Sequence, residues 1–501
     1  MTGKELPHVS PESLGISSRS ILKFVRDLEE SGTEMHGFMI LRHGRIAAKG
    51  WWNPFAPGLI HGSQSLTKTV TGAAYGIAEK EGILNLEVRL IDIFPEYAGE
   101  TSGPYWDQLK MRHILTMSAG MVSQPDVTDP DWKRNFFHME IVHKPGTSFF
   151  YNSIACSMVG ACITRKTGLG LREYLTPRLF HKIGIDGSVI RWYRHGDGSE
   201  NGSGGIVTTT EDNARLMQLF LQGGTWEGEQ IISENWARTA VKLQNDQFRL
   251  TFPDVPQDQG YGGMMWIRGG NFYADGAMGQ LAVGFPEQDM VISLNQTISS
   301  PDADRKMKAV LFGFGSKVYG AALPDDAEGL AELERKCACL ALPAPACSPD
   351  SPAIPFVNGR RCRIKDGHAA FFAEDIAIFN RGYHDEVYAF SFLFSQRLLK
   401  LTVESESGMH TVLAGLDGRR FTNHAEGNIP VTEALLSAYW KDADTLSLEI
   451  RWLESCRSRS LSFRFESDGV HIVSELKPVG GFDIPPMEAF AVWEDKENIV
   501  K

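Results

Sequence analysis

From Ile21 to Leu28 apolar residues recur at helical spacing with charged residues between them, which predicts an amphipathic helix. Two β-like runs follow, Gly37 to Arg42 and Arg45 to Ala48, and the His43-Gly44 break between them predicts a hairpin. From about residue 65 to 245 the pattern is mostly helical with long loops. Its helices are expected at Ser65 to Lys80, stopped by Glu81-Gly82, and at Met111 to Leu115, Ile154 to Ile163 and Thr210 to Leu221. Short β-like runs return at Gly263 to Arg268, Asn271 to Ala274, Gln280 to Phe285 and Met290 to Asn295, followed by a helical stretch from Asp304 to Tyr319. The simplest arrangement is an α+β fold, an antiparallel sheet flanked by helices with a helical subdomain inserted in it. A site is then expected where the insertion meets the sheet.

Residues 322–353 change character. A charged helix, Asp326 to Leu340, gives way to a Pro/Ala-rich run from Ala341 to Pro349 that reads as a linker. From Ile354 onward short alternating segments such as Val387 to Phe392 and Leu446 to Trp452 predict a small antiparallel barrel or sandwich. The expected division is therefore a domain over 1–322, a helix and linker over 323–353, and an all-β domain over 354–501. A length of 501 residues suits two such domains.

Composition is that of a globular protein, 42% hydrophobic and 22% charged. A net charge of -12 without a long basic block argues against a nucleic-acid partner. No apolar run is long enough to span a bilayer, and the N-terminus lacks the pattern of a secretory leader. Seven cysteines without secreted-domain spacing fit reduced thiols, so a cytoplasmic location is expected. Cys337, Cys339 and Cys347 lack a nearby fourth ligand, and neither a metal nor a cofactor is expected.

Candidate chemistry is concentrated at three points. Ser65-Leu66-Thr67-Lys68 places a hydroxyl and an amine three residues apart at a helix start, so the amine can accept the serine proton. Pro145 to Ser153 carries Tyr151 to the entry of an apolar helix. Beside an ammonium a buried phenol has its anion favoured while the lysine loses basicity through desolvation, so either Lys68 or Tyr151 can be the base. Tyr273 to Gln280 reads as a glycine-rich strand edge, where the backbone NH groups of Ser65 and Gln280 can form an oxyanion hole.

In this order, the three pieces resemble the serine β-lactamase-related family, which includes class C β-lactamases, D-Ala-D-Ala carboxypeptidases, D-aminopeptidases and β-lactamase-like esterases. The resemblance covers roughly residues 10–322 and extends to Gly82 to Leu86, Asp92 to Tyr97, His113 to Gly120, Gly202 to Thr210 and Phe285-Pro286-Glu287. It implies Ser65 as the nucleophile of an acyl-enzyme, Lys68 as its activating partner, and Tyr151 as the base that later protonates the leaving group. Asn152, Ser153, Ala277 and Gly279 then fall at substrate-binding positions, and the C-terminal domain resembles the lipocalin-like barrels of some relatives. Two departures stand out. Ser153 occupies the place of the asparagine in the family's Tyr-x-Asn motif, and Ala277-Met278-Gly279 lacks the Lys or His of the third motif.

These residues point to a serine hydrolase or acyltransferase acting on a small ester or amide, with a homo-oligomer possible. Within enzymes a D-aminopeptidase, D,D-carboxypeptidase or β-lactamase is the alternative. From another class, a ligand-binding or sensor protein on the same fold is the alternative. His61 lies near Ser65 in sequence, but without a Gly-x-Ser-x-Gly elbow a Ser-His-Asp mechanism is the minor reading.

Overall fold

The computed structural model describes residues 5–126, 128–247, 259–369, 371–372, 386–424, 431–477 and 485–494; residues 1–4, part of the N-terminus read above, lie outside them. The chain divides into two compact units. One comprises Met1–Ile298 and Asp302–Ala341, the other Ser299–Pro301 and Leu342–Lys501.

The first unit is built on a seven-stranded antiparallel sheet of β1 (Glu34–Arg42), β2 (Arg45–Trp51), β3 (Gln259–Tyr261), β4 (Trp266–Arg268), β5 (Asn271–Gly276), β6 (Gln280–Phe285) and β7 (Met290–Thr297). Their order is β2-β1-β7-β6-β5-β4-β3, so the N-terminal hairpin joins the late strands through β1 and β7, with Phe38 opposite Leu294. His43 and Gly44 both take positive φ, 51° and 68°, as the tight turn between twisted strands requires.

Its principal helices are α1 (Ser18–Glu30), α2 (Thr67–Lys80), α3 (Ser153–Thr167), α4 (Thr210–Leu221), α5 (Pro301–Phe314) and α6 (Ala327–Ala338). On one face of the sheet Phe24 of α1 meets Phe314 of α5 at 4.6 Å, and Tyr273 of β5 meets Phe312 at 5.3 Å. On the other face α4 covers the strands, and Thr210 Oγ1 donates to Asn295 Oδ1 of β7 at 2.6 Å. Thr209 and Asp212 cap α4 reciprocally. Helix α2 is buried from Thr67 to Ala78, which is why its sequence shows no clean amphipathic stripe. It ends at Gly82, whose φ of 71° suits the expected glycine stop.

The first unit extends to Ala341, beyond the expected boundary at 322. Helix α6, read as part of the connection, lies against α1 through Arg19–Asp326 at 2.8 Å, Arg26–Glu332 at 2.9 Å and Lys336–Glu29 at 2.6 Å.

The second unit is a closed barrel. Its strands are β8 (Arg361–Gly367), β9 (Val387–Ser395), β10 (Leu398–Ser405), β11 (Gly408–Gly415), β12 (Phe421–His424), β13 (Glu433–Trp440), β14 (Thr445–Trp452), β15 (Ser458–Phe465), β16 (Gly469–Leu476) and β17 (Met487–Trp493). They follow the order β11-β10-β9-β8-β17-β16-β15-β14-β13-β12, and a parallel pairing of Gly415 with Ser437 closes nine of them into a ring with β12 outside it. Alternation sets the inside: Val470, Ile472, Ser474 and Leu476 of β16 are buried, while His471, Val473 and Glu475 are exposed. Among the described residues no helix is long and apolar enough to cross a membrane.

Candidate active site

Ser65 sits on a single 3-10 turn, Gln64–Leu66, one step before α2; the sequence had suggested that the α-helix itself begins at Ser65. Gln64 holds a left-handed φ of 50°, a strained conformation for a residue with a side chain, immediately before the serine. Ser65 is partly accessible while Gln64, Leu66 and Lys68 are buried, so the hydroxyl is the part of this turn that a substrate can reach.

Lys68 Nζ lies 3.1 Å from Ser65 Oγ and donates to the carbonyl oxygen of Ser203 at 2.7 Å. Burial lowers its pKa to about 8, against a smaller opposing effect from Cys156. The glycine-rich segment around Ser203 is itself pinned to α2: Thr71 Oγ1 donates to Gly202 O at 2.6 Å, and Ile206 N donates to Thr67 Oγ1 at 3.1 Å. Asn201 Oδ1 accepts from Ser203 N at 2.9 Å and Ser203 Oγ at 2.7 Å. Ser203 was not singled out in the sequence reading as a partner of Lys68. Its signal there was the run Gly202-Ser203-Gly204-Gly205, small residues that allow close backbone approach.

Tyr151 closes the other side. Lys68 Nζ lies 4.6 Å from the centre of its ring, and the Ser65 side chain is near enough to act on its phenol. The ring stacks on Trp266 at 5.6 Å and meets the buried Tyr261 edge-on at 6.3 Å. Desolvation in this aromatic packing raises the phenol pKa far above its ordinary value, and the influence of the nearby Ser65 side chain opposes only part of that. Burial thus favours the neutral phenol of Tyr151 over its anion, as it favours the neutral amine of Lys68 over its cation.

The third piece is a turn where a strand edge was expected. Ala277–Gly279 forms a 3-10 turn between β5 and β6, with Met278 at φ 69° and Gly279 at φ 98°. At Gly276, the end of β5, the backbone lies close against the residue before the serine turn: a Cβ there would lie 2.2 Å from Ser63 O. Gln280, whose NH is the second donor expected for an oxyanion hole, is completely buried at the start of β6. Its side chain ties the turn down, accepting from Asn295 Nδ2 at 2.9 Å and donating to Gln296 O at 2.6 Å.

The β-lactamase family profile matches residues 25–311. The chain belongs to the β-lactamase family. It is 25% identical over 306 residues to the 6-aminohexanoate-dimer hydrolase of Paenarthrobacter ureafaciens, covering 55% of this chain and 75% of that one. It is 22% identical over 294 residues to a β-lactamase of Escherichia coli K12, covering 54% and 74%. A solved structure from Bacillus anthracis, provisionally named a 6-aminohexanoate-dimer hydrolase, superposes with a TM-score of 0.52 at 18% identity, covering 65% of this chain and 90% of that one. That likeness concerns the fold.

Of the four substrate-binding positions suggested by the β-lactamase-family motifs, Asn152, Ser153 and Gly279 are buried and Ala277 is partly exposed. Asn152 is buried and caps α3, its Oδ1 accepting from Ala155 N at 2.8 Å. Gly279 is buried in the turn, where a Cβ would collide with Ile298 and Gln296 at 2.7 and 2.8 Å. Ser153 stands on the first turn of α3, with its backbone NH donating to Gln124 Oε1 at 2.7 Å, and Ala277 remains partly exposed. Neither β5 nor β6, the strands on either side of this turn, carries a Lys or Arg to stand in for the cation missing at Ala277. Lys308, packed beside Asp275 of β5, is held by Asp275 at 2.9 Å and by Asp304 at 3.2 Å.

His61 is not a partner of Ser65. Its Nε2 bonds His36 Nδ1 at 2.9 Å, both rings are buried, and burial followed by the neighbouring His36 drives the His61 pKa well below its ordinary value. A cavity of about 970 Å³ is also separate from the nucleophile: it is lined by Trp132, Ser157, Leu171, Arg172 and Glu200 among others, and by neither Ser65, Lys68 nor Tyr151. Among the described residues no three His, Cys, Asp or Glu side chains gather as a metal site.

Proposed function

We propose that this member of the β-lactamase family is a serine hydrolase or acyltransferase that takes the acyl group of a small ester or amide onto Ser65. The observation that carries this reading is Lys68 Nζ at 3.1 Å from Ser65 Oγ, in an environment that lowers its pKa to about 8. Near neutral pH an appreciable fraction of this amine is unprotonated and can accept the serine proton as Oγ attacks the carbonyl carbon. The carbonyl electron pair moves to oxygen, stabilised by the backbone NH groups of Ser65 and Gln280. Tyr151, a phenol that burial holds neutral, gives its proton to the leaving group and is reprotonated from Lys68. Water or another acceptor then releases the acyl group by the reverse sequence.

The absent cation at Ala277 and the two carboxylates that hold Lys308 favour acyl donors without a carboxylate at that end, hence esters and simple amides over penicillins or peptidoglycan stems. The seven free thiols fit a cytoplasmic place of work. A fluorophosphonate probe tests the reading. Labelling of the wild type that is lost in Ser65→Ala is expected; no labelling, or equal labelling of both, would defeat it in favour of a binding or sensor protein.

A further inference from the structure

Asn201 is 1% exposed, and its Oδ1 gathers three donors: Ser203 Oγ at 2.7 Å, Ser203 N at 2.9 Å and Ser157 Oγ at 3.3 Å. Ser203 and Ser157 are likewise buried. The asparagine is itself fixed through its backbone, whose N donates to Tyr193 O at 2.9 Å and whose O accepts from Trp192 Nε1 at 2.8 Å. Residues 201–203 thus form a frame anchored on one side by Trp192 and Tyr193. On the other side it is anchored by α3, the helix to which Ser157 belongs. The frame ends at the carbonyl oxygen of Ser203, which accepts from Lys68 Nζ at 2.7 Å.

Two neighbours of Ser65 therefore share one support. The carbonyl that holds Lys68 is set by Asn201, and α3, tied to the same Oδ1, begins two residues after Tyr151. An amide oxygen suits this place because it accepts several donors without bringing a full charge beside an amine whose proton must be given up. The titratable groups around that amine are Cys156 of α3, Tyr151 and Tyr261, and burial keeps all three neutral. Asp275, which acts on Tyr151, is paired with Lys308 at 2.9 Å. The Ser203 carbonyl is thus the acceptor that favours the ammonium form of Lys68, and its placement governs both where the amine lies and how readily it loses its proton.

Resting on the reading of Ser65 as nucleophile, we propose that Asn201 is a positioning residue for the reaction, setting the Ser203 carbonyl that holds the Lys68 amine against Ser65. The test is the rate of fluorophosphonate labelling between pH 6 and 9 in the full-length wild type, Asn201→Leu and Ser203→Ala. Leucine fills a similar volume and accepts no hydrogen bond. In Asn201→Leu the rate at the high-pH plateau is expected to fall about tenfold to a hundredfold, as misplacing a reacting group does. Its pH limb is expected to move below that of the wild type by roughly half a unit to one unit, because an ammonium that loses its acceptor gives up its proton more readily. A packing defect alone lowers the rate and leaves the limb in place. Should Asn201→Leu not fold, Ser203→Ala replaces it: losing one of the two bonds to Asn201 is expected to slow labelling severalfold, and a wild-type rate overturns the proposal. A wild type that does not label defeats the nucleophile reading itself. A wild type that labels beside an Asn201→Leu with unchanged rate, or with an unmoved limb, overturns the role of Asn201 alone.

Discussion

Lys68 Nζ donates to the carbonyl oxygen of Ser203 at 2.7 Å, and this bond holds the amine in place beside Ser65 while burial strips it of water. A backbone carbonyl orients an ammonium without supplying the full negative charge that would raise its pKa. The lysine is therefore fixed in position and still depressed to about 8.

Activity is accordingly expected to rise with pH on a single limb centred near 8, measured as kcat/KM for an ester substrate. Lys68→Met removes that limb and lowers acylation by about two to four orders of magnitude. A profile flat between pH 6 and 9 removes Lys68 from the base role.

The same substitution is expected to stabilise the fold. A lysine with pKa near 8 when folded and 10.5 when free loses stability by its burial wherever the unfolded chain holds the extra proton. The cost is complete below about pH 8 and vanishes as pH rises toward the unfolded value. Lys68→Met at pH 7 is expected to gain up to about 3 kcal/mol in denaturant unfolding, with the gain shrinking above pH 9. An unchanged or lower stability at pH 7 contradicts the desolvation argument.

Tyr151→Phe separates leaving-group protonation from attack. Because the phenol is held neutral, its loss is expected to slow hydrolysis of an amide by roughly 10²–10³ and of an activated aryl ester, whose leaving group needs no proton, far less. Equal losses for both substrates point to a packing role against Trp266.

Gln280→Leu removes the bonds to Asn295 and Gln296 that tie down the Ala277–Gly279 turn. If the NH of Gln280, which follows that turn, is an oxyanion donor, kcat is expected to fall about tenfold to a hundredfold with little change in KM, because the oxyanion exists only along the reaction path. A change confined to KM assigns Gln280 to substrate binding instead.

The His36–His61 pair sets an acid limit. A buried His61 whose pKa lies well below 6.5 resists protonation that the unfolded chain accepts, so stability is expected to fall as pH drops below about 6.5. Thermal unfolding between pH 5 and 8 measures this, and His61→Asn is expected to flatten the slope.

Local chemistry and periodicity are written residue by residue, and that is where the sequence was legible. The helix Thr210–Leu221, the strand Gln280–Phe285 and the His43-Gly44 hairpin follow from spacing and turn residues alone. So does the pairing of Ser65 with Lys68, because three residues along a helical path bring the two side chains together. Burial and long-range contact are not written that way. Only the tertiary structure sends Gln280 into the sheet, turns Asn152 into the cap of α3, brings Ser203 from far along the chain onto Lys68, and packs Tyr151 against Trp266 so that its proton stays on. A pKa depends on which dipoles and how much water surround a group, and these are properties of the folded neighbourhood that no local spacing encodes.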